Sequence, residues 1–283
     1  MLSLLLLIIC FAAFNLSFRQ AQRVGLNLHV VGVILFFTGA LLYFVLYRAA
    51  PAPLSQTVVL LGVVAGVLFT GMYVLMIPTM SDRGVSLMTA LQQLSVLVPM
   101  AASLVLYHEH PSLIAAIGAG LCLVAMPFLT LDRGISGAGL TARKLALFVG
   151  LMVVNGVALT AAKVFNEFDA PEQLHGYMAV LLFTACAGCI PFALVSLRGA
   201  PQRRYGRTTV GWGVYLGVLL AASQLFMLLS LRCYPGVVVY PLSQASNVSL
   251  VTLLSLLLWR ERPGALGFVG IALAVVAIVL VNL

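Results

Sequence analysis

The sequence predicts an all-α integral membrane protein, ten transmembrane helices arranged as two inverted five-helix repeats. Three observations predict it. The 283 residues are 63% hydrophobic and only 8% charged, against about 25% charged in an ordinary soluble domain. The mean hydropathy is +1.14. Ten apolar segments each approach the roughly 20 residues that a helix needs to cross about 30 Å of hydrocarbon, and the second five resemble a copy of the first five. An odd number of crossings per copy forces the second copy to enter the membrane upside down, an arrangement that places one site near mid-membrane at the repeat interface.

Each segment has its own reading. Span 1 (residues 2–18) is apolar from Met1 with no basic residues ahead of it, so it reads as a span and not a cleaved signal peptide. It contains one amide, Asn15. Span 2 (28–47) ends at Arg48. Span 3 (55–77) has Gly62 and Gly66 at the spacing that lets helices approach closely, and Tyr73 beside Thr70 and Met76. Span 4 (84–106) contains Gln92, Ser95 and Pro99, and span 5 (112–131) starts after Pro111. Span 6 (145–162) contains Asn155 and stops at Lys163. Span 7 (177–197) contains Cys186, Cys189 and Pro191, and span 8 (209–231) contains Tyr215 and Gln224. Span 9 (236–259) has Tyr240, Pro241, Gln244 and Asn247, and span 10 (264–283) opens with Gly264, Gly267 and Gly270. Residues 1–131 form the first repeat, 132–144 a cytoplasmic linker and 145–283 the second repeat.

The repeat rests on residue matches. Residues 84–131 align with 236–283 at a constant offset. Gly84/Gly236, Gln92/Gln244, Ser103/Ser255, Glu109/Glu261, Pro111/Pro263 and Gly118/Gly270 coincide. Leucine matches are cheap in membrane sequence; matched Gln, Glu and Pro at one register are not, so duplication is the economical explanation. In the first spans of each half, Asn15 falls opposite Asn155. Each Glu-x-Pro reads as the start of the following helix. Proline costs nothing there, and the carboxylate lies by the positive end of that helix dipole.

The run SLMTALQQLSVLVPMAASLVLYHEHPSLIAAIGAGLCLVA and its partner VVVYPLSQASNVSLVTLLSLLLWRERPGALGFVGIALAVVAIVL resemble the two EamA-type repeats of the drug/metabolite transporter superfamily. The likeness is strongest at the Glu ending the fourth span of each half and the Gly in the fifth. The resemblance implies a ten-helix carrier with alternating access and a central cavity lined by both halves. Its members move amino acids, nucleotide sugars, triose phosphates, cations and other metabolites, so the family implies no single substrate. Members often have basic residues at the N-terminus and after the last span. This chain has neither, so its orientation is read from its own charges.

The net charge of +8 does not point to nucleic acid, because the basic residues sit in short loops between spans. Loops after odd-numbered spans hold 12 Lys and Arg and those after even-numbered spans hold 3. The positive-inside rule then places the odd loops in the cytoplasm and both termini outside. A bacterial inner membrane is the expected location.

Polar groups inside spans usually face the bundle interior or a watery cavity. Tyr240, Gln244 and Asn247 share one helical face, and Gln92 and Ser95 occupy the aligned positions on span 4, with Ser103 and Ser255 further along. Amides both donate and accept, which suits a polar neutral or zwitterionic solute; mutual pairing as interhelical glue is the alternative. Asn15, Asn155, Gln224 and Tyr73 join them as candidate solute contacts. Lys163 either snorkels to the outer surface or binds an anionic group at the cavity mouth. Pro99 and Pro241 are candidate hinges, each removing one helix hydrogen bond. No span has an acid or base at its middle, which argues against a proton-coupled cation exporter, and no buried Arg or Lys clamp suits phosphate. Cys186 and Cys189 read as small packing residues, and the four histidines lack any metal geometry. With no nucleophile–base pair, glycine loop or zinc pattern, neither an enzyme nor a cofactor is expected. The expected partners are a small-molecule solute and membrane lipid. The expected function is an exporter or facilitator for a small neutral or zwitterionic solute, possibly amino-acid-like. The alternatives are a carrier of anionic or lipid-linked sugars and a non-transporting membrane subunit.

Overall fold

A computed structural model describes residues 2–80, 95–109, 111–131, 142–168, 170–199, 206–259 and 265–281. The described residues form α-helices and one short 3-10 turn, with no strand among them. In chain order the helices are α1 (Leu2–Arg23), α2 (Leu28–Ala49), α3 (Gln56–Met80), α4 (Leu97–Val105), α5 (Leu113–Leu131), α6 (Ala142–Glu167), α7 (Leu174–Gly199), α8 (Arg207–Cys233), α9 (Gly236–Trp259) and α10 (Ala265–Val281). Six segments, Leu2–Arg23, Leu28–Ala49, Gln56–Ile77, Val149–Glu167, Pro171–Arg198 and Arg207–Cys233, are long and apolar enough to cross a membrane. The chain is therefore a multi-pass membrane protein by the length and composition of its helices.

Local chemistry explains the breaks between helices. After α1, Gly25 adopts φ +77°, a left-handed conformation that glycine enters without a Cβ clash. The N–H of Leu26 then returns to the Ala21 carbonyl at 3.3 Å. Asn27 caps α2, its side chain accepting from the His29 N–H at 3.1 Å, and its amide donates to Ser196 Oγ at 2.7 Å. The Ser55 hydroxyl accepts from the Val58 N–H at 3.2 Å at the start of α3.

Helix bounds differ from expectation at several ends: α1 runs on past residue 18 to Arg23 and α7 starts at Leu174, and two further differences bear on the site. The second-half first helix runs on past residue 162 to Glu167, so Lys163 is helical and not a terminus. The described part of span 4 holds a nine-residue helix that begins at Leu97, placing Pro99 in its first turn. There a missing N–H breaks no helix bond; the Val98 N–H instead reaches the Ser95 carbonyl at 3.2 Å. Pro241 does lie inside its helix.

Packing joins the first five helices to the last five. The main contacts are α2 with α7 and α8, α3 with α7 and α6, α1 with α8 and α9, α4 with α9 and α6, and α5 with α10 and α9. Exchanging α1–α5 with α6–α10 in order turns α2–α8 into α7–α3, α1–α8 into α6–α3 and α1–α9 into α6–α4. It leaves α2–α7, α4–α9 and α5–α10 unchanged. Among the described residues the α5–α9, α9–α10 and α6–α8 contacts have no counterpart of like extent.

Glycines make two of these contacts alike in detail. A Cβ on Gly66 of α3 would stand 2.5 Å from the Leu181 carbonyl oxygen and 2.6 Å from Thr184 of α7. One on Gly217 of α8 would stand 2.6 Å from the Leu35 carbonyl oxygen and 2.7 Å from Thr38 of α2. Gly62 and Gly213 lie one turn earlier, against Val180 and Ile34. Only hydrogen fits at such separations. The spacing at Gly62/Gly66 was legible in the sequence; its twin at Gly213/Gly217 was present at equal spacing and passed unread.

Candidate functional site

Three charged residues, Glu109, Lys163 and Glu167, converge where α4 ends, α6 ends and α9 begins. After α4 the chain reverses at His108, whose φ of +49° is unusual for a residue with a Cβ. The Tyr107 N–H returns to the Ala102 carbonyl at 3.3 Å, the six-to-one bond of a helix-ending turn, and the Glu109 N–H reaches the Ser103 carbonyl at 3.1 Å. This turn brings the Glu109 side chain onto residues of the other half. Its carboxylate accepts from the Gly236 N–H at 3.0 Å and the Val237 N–H at 3.1 Å, capping the positive end of α9. The sequence placed this glutamate at the start of the helix that follows it; the structure gives it to a helix 127 residues away. Its aligned partner, Glu261, lies outside the described residues.

Lys163 completes the cluster. Its Nζ lies 2.7 Å from Glu109 Oε1 and also pairs with Glu167 one turn along α6. The Tyr107 ring centroid is 5.3 Å away, within reach of a cation–π contact. The side chains of Lys163 and Glu109 are 8% and 12% exposed, and that of Glu167 is 42% exposed. Lys163 therefore does not snorkel outward, and protein carboxylates already occupy the place an anionic solute would take. Burial by itself would raise the Glu109 carboxyl. The Lys163 ammonium and the two backbone N–H groups outweigh it and hold the carboxyl below its ordinary value.

The neutral polar residues pair lower down. Asn155 of α6 donates to Ser95 Oγ, ahead of α4, at 2.5 Å. Asn15 of α1 donates to Asn247 Oδ1 of α9 at 3.4 Å and to its own helix at the Phe11 carbonyl, 2.9 Å. Each bond joins one half to the other. Since Asn15 aligns with Asn155 and Ser95 with Asn247, the two bonds correspond under the exchange of halves. These four residues make interhelical contacts, the glue that was the alternative to cavity lining. Tyr240 donates to the Leu159 carbonyl at 3.1 Å and Tyr73 to the Leu28 carbonyl at 2.7 Å, both rings buried. Gln244 is half-buried, and Gln92 lies outside the described residues. Among the described residues no group of three His, Cys, Asp or Glu side chains could hold a metal ion.

A small interior cavity lies among α3, α6, α7 and α8, lined by Phe69, Ala158, Leu159, Tyr177, Met178 and Gln224 among others. Gln224 is the one candidate solute contact in that lining. About 20 Å³ of it is open to a water-sized molecule, room for one water and far short of a metabolite. The sequence could not have found Tyr177 or Met178 as lining, since both read as ordinary span residues.

Comparison with known proteins supports the fold and leaves the activity open. No protein-family model matches the chain. An uncharacterized protein of Haemophilus influenzae is 24% identical over 217 residues, covering 75% of this chain and 72% of that protein. A protein known from a crystal structure superposes with a TM-score of 0.76 at 17% identity, over 99% of this chain and 98% of its own. The chain thus shares its whole fold with a solved protein.

Proposed function

We propose that this protein is an inner-membrane carrier of the drug/metabolite transporter kind, its ten helices forming two inverted five-helix repeats around one central site. The observation that supports this most is the correspondence of contacts when the halves are exchanged: the asparagine pairs, the glycine approaches and the order of neighbouring helices. A duplicated bundle with two matched halves is the architecture on which rocking between two access states is built. The excess of basic residues in odd-numbered loops puts those loops in the cytoplasm and both termini outside.

The solute is small and neutral or zwitterionic, possibly amino-acid-like. Lys163 is engaged by two carboxylates, which supports this cargo over an anionic or lipid-linked sugar. This cavity has room for about one water as it stands, so passage of a solute through it requires the bundle to open. Purified protein in liposomes is expected to accelerate counterflow of one or more solutes from a panel of amino acids, polyols and neutral metabolites. Folded protein that moves none of them would favour a non-transporting membrane subunit.

A further inference from the structure

We propose that Glu109 and Lys163 form a gate over the cavity on the face of the even-numbered loops, and that the structure is the state in which this gate is shut; the inference rests on the carrier reading above. The cavity wall on α6 is Ala158, Leu159 and Ala162, and Lys163 is the next residue toward that face. Two further bonds tie the wall to the cluster's surroundings: Tyr240, one turn into α9, holds the Leu159 carbonyl, and Tyr177 donates to the Ala161 carbonyl at 3.4 Å.

The bonds of Glu109 cross between the halves. Glu109 belongs to the first half, and all three of its donors, Lys163 Nζ and the N–H groups of Gly236 and Val237, belong to the second. Moving α4 away from α6 and α9 breaks all three together, so the contact is either made or lost as a unit. Water replaces the lost partners because the cluster reaches the surface through Glu167. A charged pair buried at mid-span would have no such compensation on opening. A Cβ on Gly236 would meet Ser103 Oγ, so Ser103 would have to turn aside for α9 to keep its place against α4. Gly236 therefore serves the gate twice, as a donor to Glu109 and at the close approach of α9 to α4.

The test is thiol accessibility in liposomes. Ala162→Cys is introduced into a chain whose five native cysteines are replaced by serine or alanine, and a membrane-impermeant charged methanethiosulfonate is applied from each side. Lys163→Met, Glu109→Gln and Gly236→Ala are each expected to speed labelling of that cysteine by about tenfold or more, as a larger open population requires. A second chain retaining only the exposed Cys233, at the end of α8, is expected to label at an unchanged rate. Gly236→Ala leaves both charges in place, so it reports on the gate even where a charge variant does not fold. An unchanged rate at Ala162→Cys in the folded variants, or a rise shared equally by Cys233, overturns the gate and leaves a static brace. The labelling requires no solute, so altered labelling without flux would sink the carrier reading alone.

Discussion

Near the helix midpoints the two halves meet through neutral side chains, whereas at the even-numbered rim they meet through charges. Asn155–Ser95 and Asn15–Asn247 lie in the first region. Glu109, Lys163 and Glu167 lie in the second, beside the capped start of α9. Depth explains the difference. An ion at mid-membrane costs about 3 kcal/mol by insertion scales, while a neutral amide needs one partner to be satisfied. Near the surface a charge contact can be made in one state and hydrated in another. The neutral pairs are suited to staying made and the charged cluster to being released.

The largest expected effect lies at the rim. Lys163→Met leaves Glu109 without its ammonium in a mostly buried place, and breaking such a pair costs about 3–5 kcal/mol. Unfolding in detergent should show a loss of that order; a loss below that of the midpoint variants would reverse the proposed contrast. Next come the glycine approaches. Gly66→Leu and Gly217→Leu drive a side chain into a carbonyl at matched positions, and each should cost about 1–3 kcal/mol from overpacking. Unequal losses at the two sites would show that the halves carry load differently.

The midpoint pairs should respond less. Interhelical hydrogen bonds in membranes are worth about 0.6 kcal/mol on average and up to about 1.7. Asn155→Ala, which removes the shorter and fully buried bond, is expected to lower thermal stability more than Asn15→Ala. The opposite ranking would indicate that the Asn15–Asn247 pair is the tighter joint. The smallest effect near neutrality is that of pH. The Glu109 carboxyl is held below its ordinary value of 4.5, facing Lys163, Glu167, Tyr107 and Tyr240. A depressed carboxylate stabilises the fold at every pH above the unfolded value, and that contribution is lost as pH falls through the folded value. Melting temperature should therefore vary little on this account from pH 8 to 5 and fall in stronger acid. Glu109→Gln should flatten the acid limb, and a loss centred near pH 6 would point to a different group.

Legibility in the sequence followed interaction range. The helices were readable because apolar runs of spanning length have few other uses. Asn15 and Asn155 were found as aligned polar residues, yet their partners were not, since a side chain's neighbour across the bundle leaves no local mark. Glu109 was seen as a helix cap, and the error lay in the choice of helix, because a carboxylate caps whichever positive end the turn at His108 presents to it. Lys163 was read as an end residue because the apolar pattern stops at residue 162, whereas the helix continues through Asn166 and Glu167.

By itself the sequence determined an apolar, multi-pass helical chain whose halves match at Gln, Glu, Pro and Gly. Those features follow from bilayer thickness and from residue matches at one register, and both are written along one dimension. Only the tertiary structure decided that Glu109 bridges the halves, that the asparagines bond to one another's counterparts, and that the cavity lies beneath Lys163. The contacts behind these join residues 54 to 232 positions apart. Such contacts depend on how helices cross and how close glycine lets them come, which no local pattern encodes.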